Sequence, residues 1–141
     1  MENLIITDDF SKNGPITFDN FKINNKSVYS ATILENSTPS SANFKYNVPI
    51  LSQNNKEIIW GIYIRAIEIT IIELCVDFYD ESNNLIDSTK QDMTKYITRN
   101  FNNIYALFNI PETTANLNLS LHFKDKTTAC TFYSPFAYFR K

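Results

Sequence analysis

The stretch NLNLSLHFK, residues 116–124, decides the fold class, because its apolar and polar residues alternate without a break. Leu117, Leu119, Leu121 and Phe123 take every second position, with polar residues between them. Successive side chains of a strand point to opposite faces, so a period of two predicts a β-strand with one buried face and one wet face. No segment of the chain sustains the apolar spacing of a helix.

Two earlier runs, IWGIYIRA at residues 59–66 and IELCVDFY at residues 72–79, alternate in the same way. Short apolar runs rich in Ile, Val, Thr, Tyr and Phe and separated by turn signals are typical of antiparallel strands. We therefore predict an all-β chain folded as an antiparallel β-sandwich of the jelly-roll type, with two packed sheets. The residues expected between the sheets include Leu74, Val76, Phe78, Leu117, Leu119 and Leu121.

At 141 residues and 16.3 kDa the chain fits one domain, residues 1–141, with a single core. Glycine occurs only twice, and four Asn-Asn doublets separate the strand-like runs, since Asn tolerates positive φ. The segment at residues 35–43 is expected to form a polar loop, and residues 90–101 a short helix or a loop crossing. A net charge of −2 argues against binding the phosphate backbone of nucleic acid.

Export and membrane signals are weak in this sequence. Its first segment has no basic start, and Arg65, Glu68 and Glu73 interrupt the most apolar region, so we expect no signal peptide, no membrane partner and a cytoplasmic location. The two cysteines, Cys75 and Cys130, lie within strand-like runs. This placement suits small buried hydrophobic residues in a reducing compartment, although one disulfide bridge stays open as an alternative.

The acidic stretch CVDFYDESNNLI, residues 75–86, raises the question of a metal-binding loop. An EF-hand loop starting at Asp80 would have Leu85 where the sharp turn requires glycine. It would also have Gln91 where the bidentate Glu should stand. We therefore predict a hairpin turn between two strands, with no bound metal.

Three segments resemble a known family in the right order along the chain: NLIITDDFSKNGP, VDFYDESNNLI and YALFNIPETTANLNLSLHF. They are similar to segments of bacterial jelly-roll domains of the galactose-binding-like kind, which include many carbohydrate-binding modules. The resemblance implies the fold. The closing strand of such modules often carries an Asp pair, whereas this chain has Ser134 and Pro135, so the structural calcium site of the family is not expected. Asp8 and Asp9 are interpreted as exposed acids at a strand end.

The sequence offers little for catalysis. His122 is the only histidine, and no nucleophile elbow, zinc motif or phosphate loop occurs. Glu73 and Asp77 share a strand face, but residues four apart on a strand are about 13 Å apart. Glycoside hydrolases need their carboxyl groups about 5 to 10 Å apart. We predict no catalytic residues, no cofactor and no enzymatic activity.

The residues of the sequence match a binding site better than a catalytic site. A sugar site combines an aromatic platform with groups that hydrogen-bond hydroxyls, and we predict that a single face formed by Tyr63, Arg65, Glu73 and Asp77 supplies both if their strands are neighbours. Trp60 would lie nearby, at the sandwich rim or in the core. The alternative interpretation of this face is an ordinary wet sheet with ion pairs.

Two functions stay open at this point. One is a non-catalytic module that recognises carbohydrate on a sheet face or at the sandwich rim. The other is a structural or assembly protein of the same fold that acts through contacts with a protein partner or a second copy of itself.

Overall fold

The computed structural model describes the backbone of residues 16–19, 23–26, 30–36, 40–44, 56–67, 71–123 and 127–140, and the side-chain surroundings of residues 56–67, 71–123 and 130–140. Ten strands and one 3-10 helix, Thr94–Tyr96, form the described structure. The strands are β1 (Ile16–Asp19), β2 (Ile23–Lys26), β3 (Ser30–Asn36), β4 (Ser40–Phe44), β5 (Glu57–Arg65), β6 (Ile72–Tyr79), β7 (Leu85–Asp92), β8 (Asn102–Asn109), β9 (Asn116–Phe123) and β10 (Thr127–Arg140).

The strands form two antiparallel sheets of five. Sheet one has the order β1-β4-β9-β6-β7, and sheet two the order β2-β3-β10-β5-β8. Within the described ranges every strand pair is antiparallel. The predicted all-β sandwich of two packed sheets is therefore confirmed.

The core lies between the two sheets and is built from alternate residues of their central strands. The six residues predicted to be buried, in β6 and β9, have 0% or 1% of their surface exposed. On the facing sheet, β5 contributes Ile58, Trp60, Ile62 and Ile64, all fully buried, and β10 contributes Phe132. The burial of these residues on both sheets confirms the predicted core faces.

The acidic stretch forms the turn of a hairpin between β6 and β7. The Asp80 carboxylate accepts backbone N–H bonds from Ser82 and Asn84, both at 2.9 Å, and Asn83 adopts a positive φ of 62°. The Asn84 N–H bond is the main cause that lowers the pKa of Asp80 below its ordinary value. One oxygen of this carboxylate thus holds the turn, in the manner of an Asx-turn.

One segment differs from the sequence-based expectation, and a second agrees with it except at its start. Residues 35–43 were predicted to form a polar loop, but β3 continues to Asn36 and β4 begins at Ser40, so most of the segment is strand. In residues 90–101, β7 continues to Asp92, and the 3-10 helix then forms a short crossing to β8. Met93 and Ile97 on either side of this helix enter the core, with 3% and 8% of their surface exposed.

Both cysteines are buried and free, Cys75 on sheet one and Cys130 on sheet two. The alternative of a disulfide bridge between them is thereby excluded in this fold. No helix in the described part of the chain is long and apolar enough to cross a membrane.

Leu119→Ala should lower the free energy of unfolding by about 2 to 5 kcal/mol, because it leaves a cavity between β9 and the facing sheet. Urea denaturation measures this change. Leu85→Ala is the matched control: Leu85 is 57% exposed, and its truncation should change stability by less than about 0.5 kcal/mol. Equal effects of the two substitutions would contradict the assigned core.

Calcium and chelator should leave the melting temperature unchanged, because the Asp80 carboxylate is occupied by backbone donors. Differential scanning calorimetry with added Ca²⁺ and with excess EDTA measures both conditions. A calcium-dependent rise of several degrees would contradict this prediction, and Asp80→Ala would then test whether the hairpin holds the ion. Asp8 and Asp9 lie outside the described residues.

Candidate functional site

The outer face of sheet two carries a continuous group of aromatic side chains on β8, β5 and β10. The registers place Gly61 opposite Tyr105 on one side and Phe136 on the other, and Tyr63 opposite Tyr133. We call this surface the aromatic face. Its large side chains are Tyr63, Phe101, Tyr105, Leu107, Tyr133, Phe136 and Tyr138, with Arg65 at one end.

Gly61 is required at the centre of the aromatic face because a side chain has no space there. A Cβ atom at this position would overlap the Ile104 carbonyl oxygen and would lie 2.7 Å from Tyr105 Cβ and 2.8 Å from Phe136 Cζ. The ring of Phe136 therefore lies over the backbone of β5. A glycine inside a strand often marks such a close approach.

A bulge in β10 brings its aromatic residues onto one face. Between Tyr133 and Phe136 the register with β5 shifts by one residue, and Ser134 has a positive φ of 49°. Strict alternation would place Tyr133 and Phe136 on opposite faces, since they are three residues apart. The extra residue puts both on the outer face, a known use of bulges to redirect side chains.

Ring contacts hold the aromatic face together. Tyr63 and Tyr133 stack with ring centroids 5.1 Å apart, and Phe101 meets Tyr133 edge to face at 5.0 Å. The Arg65 guanidinium lies 4.7 Å from the centre of the Phe101 ring. Aromatic pairs and cation-π contacts of this kind each contribute about 0.5 to 1.5 kcal/mol. These contacts fix the positions of the rings relative to one another.

The face is accessible as well as ordered. Tyr105 is 59% exposed and Arg65 is also exposed, while Tyr63, Tyr133 and Phe136 keep part of their surface in water. From strand geometry the face is about 20 Å along the strands and about 10 Å across them. Its chemistry combines flat apolar rings with phenol hydroxyls and one guanidinium.

The predicted single face of Tyr63, Arg65, Glu73 and Asp77 is not formed. The first two belong to β5, whose neighbours are β10 and β8, whereas the acids belong to β6, whose neighbours are β9 and β7. All four point outward, but from opposite sides of the sandwich. Trp60, also predicted near the ligand, has none of its surface exposed and lies in the core.

The two acids take part in local contacts on the outer face of sheet one. Asp77 accepts a hydrogen bond of 2.6 Å from the Ser88 hydroxyl, and Glu73 lies 3.9 Å from the Lys90 ammonium group. Cys75 lies between the two acids; its burial and then their negative charges raise its pKa to about 12. A thiol with this pKa stays protonated at neutral pH and is a poor nucleophile.

The histidine lies on the same outer face. His122 Nε2 and Ser120 Oγ are 2.9 Å apart, and Glu73 pairs with His122 across the ladder. Only 5% of Ser120 is exposed, so its hydroxyl offers no open position to a substrate. Among the described residues no group of three or more His, Cys, Asp or Glu side chains could hold a metal ion.

Comparisons with known proteins support the fold. No protein-family model matches the chain, and no curated protein sequence matches it. Among solved structures, a CBM4 carbohydrate-binding module superposes with a TM-score of 0.61 at 11% identity, over 96% of this chain and 94% of the other.

Two further structures have the same TM-score of 0.61. The module TmCBM61, solved with β-1,4-galactotriose, is 10% identical over 99% of this chain and all of the other. The enzymatically active domain of tailspike protein 4 of bacteriophage CBA120 is 12% identical over 89% of this chain but only 18% of its own length. At these identities the likeness shows the fold, a β-sandwich like that of carbohydrate-binding modules, in agreement with the resemblance seen in the sequence.

Gly61→Ala should destabilise the protein by about 1 to 3 kcal/mol, the range for overpacking, because the added Cβ meets backbone that cannot move aside. Chemical denaturation measures the loss, and the proton chemical shifts of Phe136 report the displaced ring. Asn103→Ala, an exposed change on neighbouring β8, serves as control and should stay within about 0.5 kcal/mol. A neutral Gly61→Ala would contradict the close approach.

Proposed function

We propose that this chain is a non-catalytic carbohydrate-binding module that binds an oligosaccharide on the aromatic face of sheet two. The observation that carries the proposal is the set of partly exposed rings on three neighbouring strands, with Arg65 beside them. Sugar rings offer an apolar face to an aromatic platform and hydroxyls to a planar charged group. Both components are present on one rigid surface.

The shape of the face indicates the kind of ligand. The platforms lie on an open sheet surface and not in an enclosed cavity, and they extend over about 20 Å. An open surface of this length suits several consecutive sugar units of a chain better than a single monosaccharide. TmCBM61 was solved with a galactotriose, which supports an oligosaccharide as the first class to test.

Isothermal titration calorimetry with a panel of oligosaccharides tests the proposal, because the buried Trp60 is a poor reporter for an outer face. Saturable heat with at least one glycan is expected. Tyr105→Ala should weaken binding about 2- to 12-fold, as expected from the loss of one stacking contact. Arg65→Ala should weaken it by at least about tenfold, through loss of charge-assisted hydrogen bonds.

Two matched controls identify the face. Leu85 is 57% exposed but lies on β7 of sheet one, so Leu85→Ala should leave binding unchanged. Asp77→Asn removes a carboxylate from the outer face of sheet one and should also have no effect. If Asp77→Asn abolishes binding while Tyr105→Ala does not, the ligand lies on sheet one and the proposed face is wrong.

An absence of heat across a broad panel would contradict carbohydrate binding itself. The function as a structural or assembly protein would then be the better account of the fold.

A further inference from the structure

The edge of sheet two at β8 is open. β8 pairs with β5 over eight residues, and no other described segment pairs with it. A cleft of about 560 Å³ runs beside this strand, lined by residues 102–107 on one side and by Gln91, Met93 and Tyr96 on the other. An edge strand presents unpaired backbone N–H and C=O groups that can accept a further strand.

β8 lacks the features by which edge strands usually avoid pairing. Its sequence, NNIYALFN, contains no charged residue, no proline and no glycine, and Tyr105 and Leu107 are 59% and 48% exposed. The edge strand of sheet one, β7, has the sequence LIDSTKQD, with two Asp and one Lys. Charged side chains protect an edge from adding another strand. Of these two edges, only β7 is protected in this way.

We propose that β8 is a dimerisation edge, which pairs antiparallel with β8 of a second copy of this chain about a two-fold axis at Ala106. This inference goes beyond the proposed function and does not depend on it. When two copies of a strand pair antiparallel about one residue, each residue lies opposite the one that is equally far from the centre on the other side. Similar side chains therefore meet only if the sequence is nearly symmetric about that centre. In β8 the pairs would be Tyr105 with Leu107, Asn103 with Asn109, and Ile104 with Phe108.

Charge complementarity selects the second copy and the antiparallel direction. Arg99 precedes β8, whereas Glu112 follows it, and both side chains are exposed. In the two-fold arrangement the end of β8 that Arg99 precedes in one copy lies beside the end that Glu112 follows in the other. Lys56 lies near the same end of β8 as Glu112 and reduces the negative charge there. Glu57 also lies at that end, so its charge does not become positive. Parallel pairing would place like charges together.

Sedimentation equilibrium of the full chain over a wide concentration range tests the dimer. The apparent mass should rise from 16.3 kDa toward twice that value as concentration increases. Leu107→Lys places an ammonium group on the edge and should weaken association by at least about tenfold. Leu85→Lys makes the same change at a similarly exposed position of β7 and should not affect it.

A pair of charge-reversal variants tests whether the two β8 strands run antiparallel, and it leaves the sequence of β8 unchanged. Arg99→Glu and Glu112→Arg should each weaken the dimer, and the double variant should restore it. Restoration also excludes misfolding as the cause of the single effects. A chain that stays monomeric at millimolar concentration would overturn the proposal. So would a dimer that Leu107→Lys and the charge reversals leave intact, because that dimer would use another surface.

Discussion

The packing of alternate side chains between the two sheets is the constraint on which the rest of this molecule depends. In β5 the inward residues Ile58, Trp60, Ile62 and Ile64 are all fully buried. Each such side chain contributes about 1.5 to 3 kcal/mol when it leaves water. A slip of the β5 pairing register by one residue would expose all four side chains and bury the charged group of Arg65. The observed register is therefore strongly favoured over its neighbours. The packing of the inward residues therefore also determines which residues of β5 face outward.

This constraint explains how much of the fold could be predicted. Alternation is a local property, and the sequence of β6 and β9 was sufficient to predict which of their residues face the core. The same property states only whether a side chain faces in or out, and a sandwich has two outer faces. Whether Tyr63 and Glu73 share a face depends on whether β5 and β6 are neighbours in a sheet, and that is decided by pairing between residues distant in sequence. They are consecutive in the chain but belong to different sheets.

The candidate site was less predictable than the fold, for reasons visible in β10 and β8. In β10 the bulge at Ser134 changes which residues face outward, and no strict period of two can anticipate it. The scarce glycines did carry a signal, because Gly61 interrupts an otherwise bulky strand. Its meaning depended on Tyr105 and Phe136, which reach it from strands distant in sequence. The aromatic face therefore forms only when β8, β5 and β10 pair in the sheet.

The core position of the single tryptophan has an optical consequence. Trp60 and Gly61 are adjacent in β5, yet one indole lies wholly inside the sandwich while the tyrosines of the aromatic face lie in contact with water. Four of the eight tyrosines belong to the aromatic face, whereas Tyr79 lies on sheet one and Tyr96 on the 3-10 helix. Tyrosine absorbance therefore mixes signals from several surfaces, but tryptophan emission comes from one buried site and will follow the loss of tertiary structure. Unfolding can thus be recorded on an unlabelled sample while the residues of the aromatic face are substituted or covered.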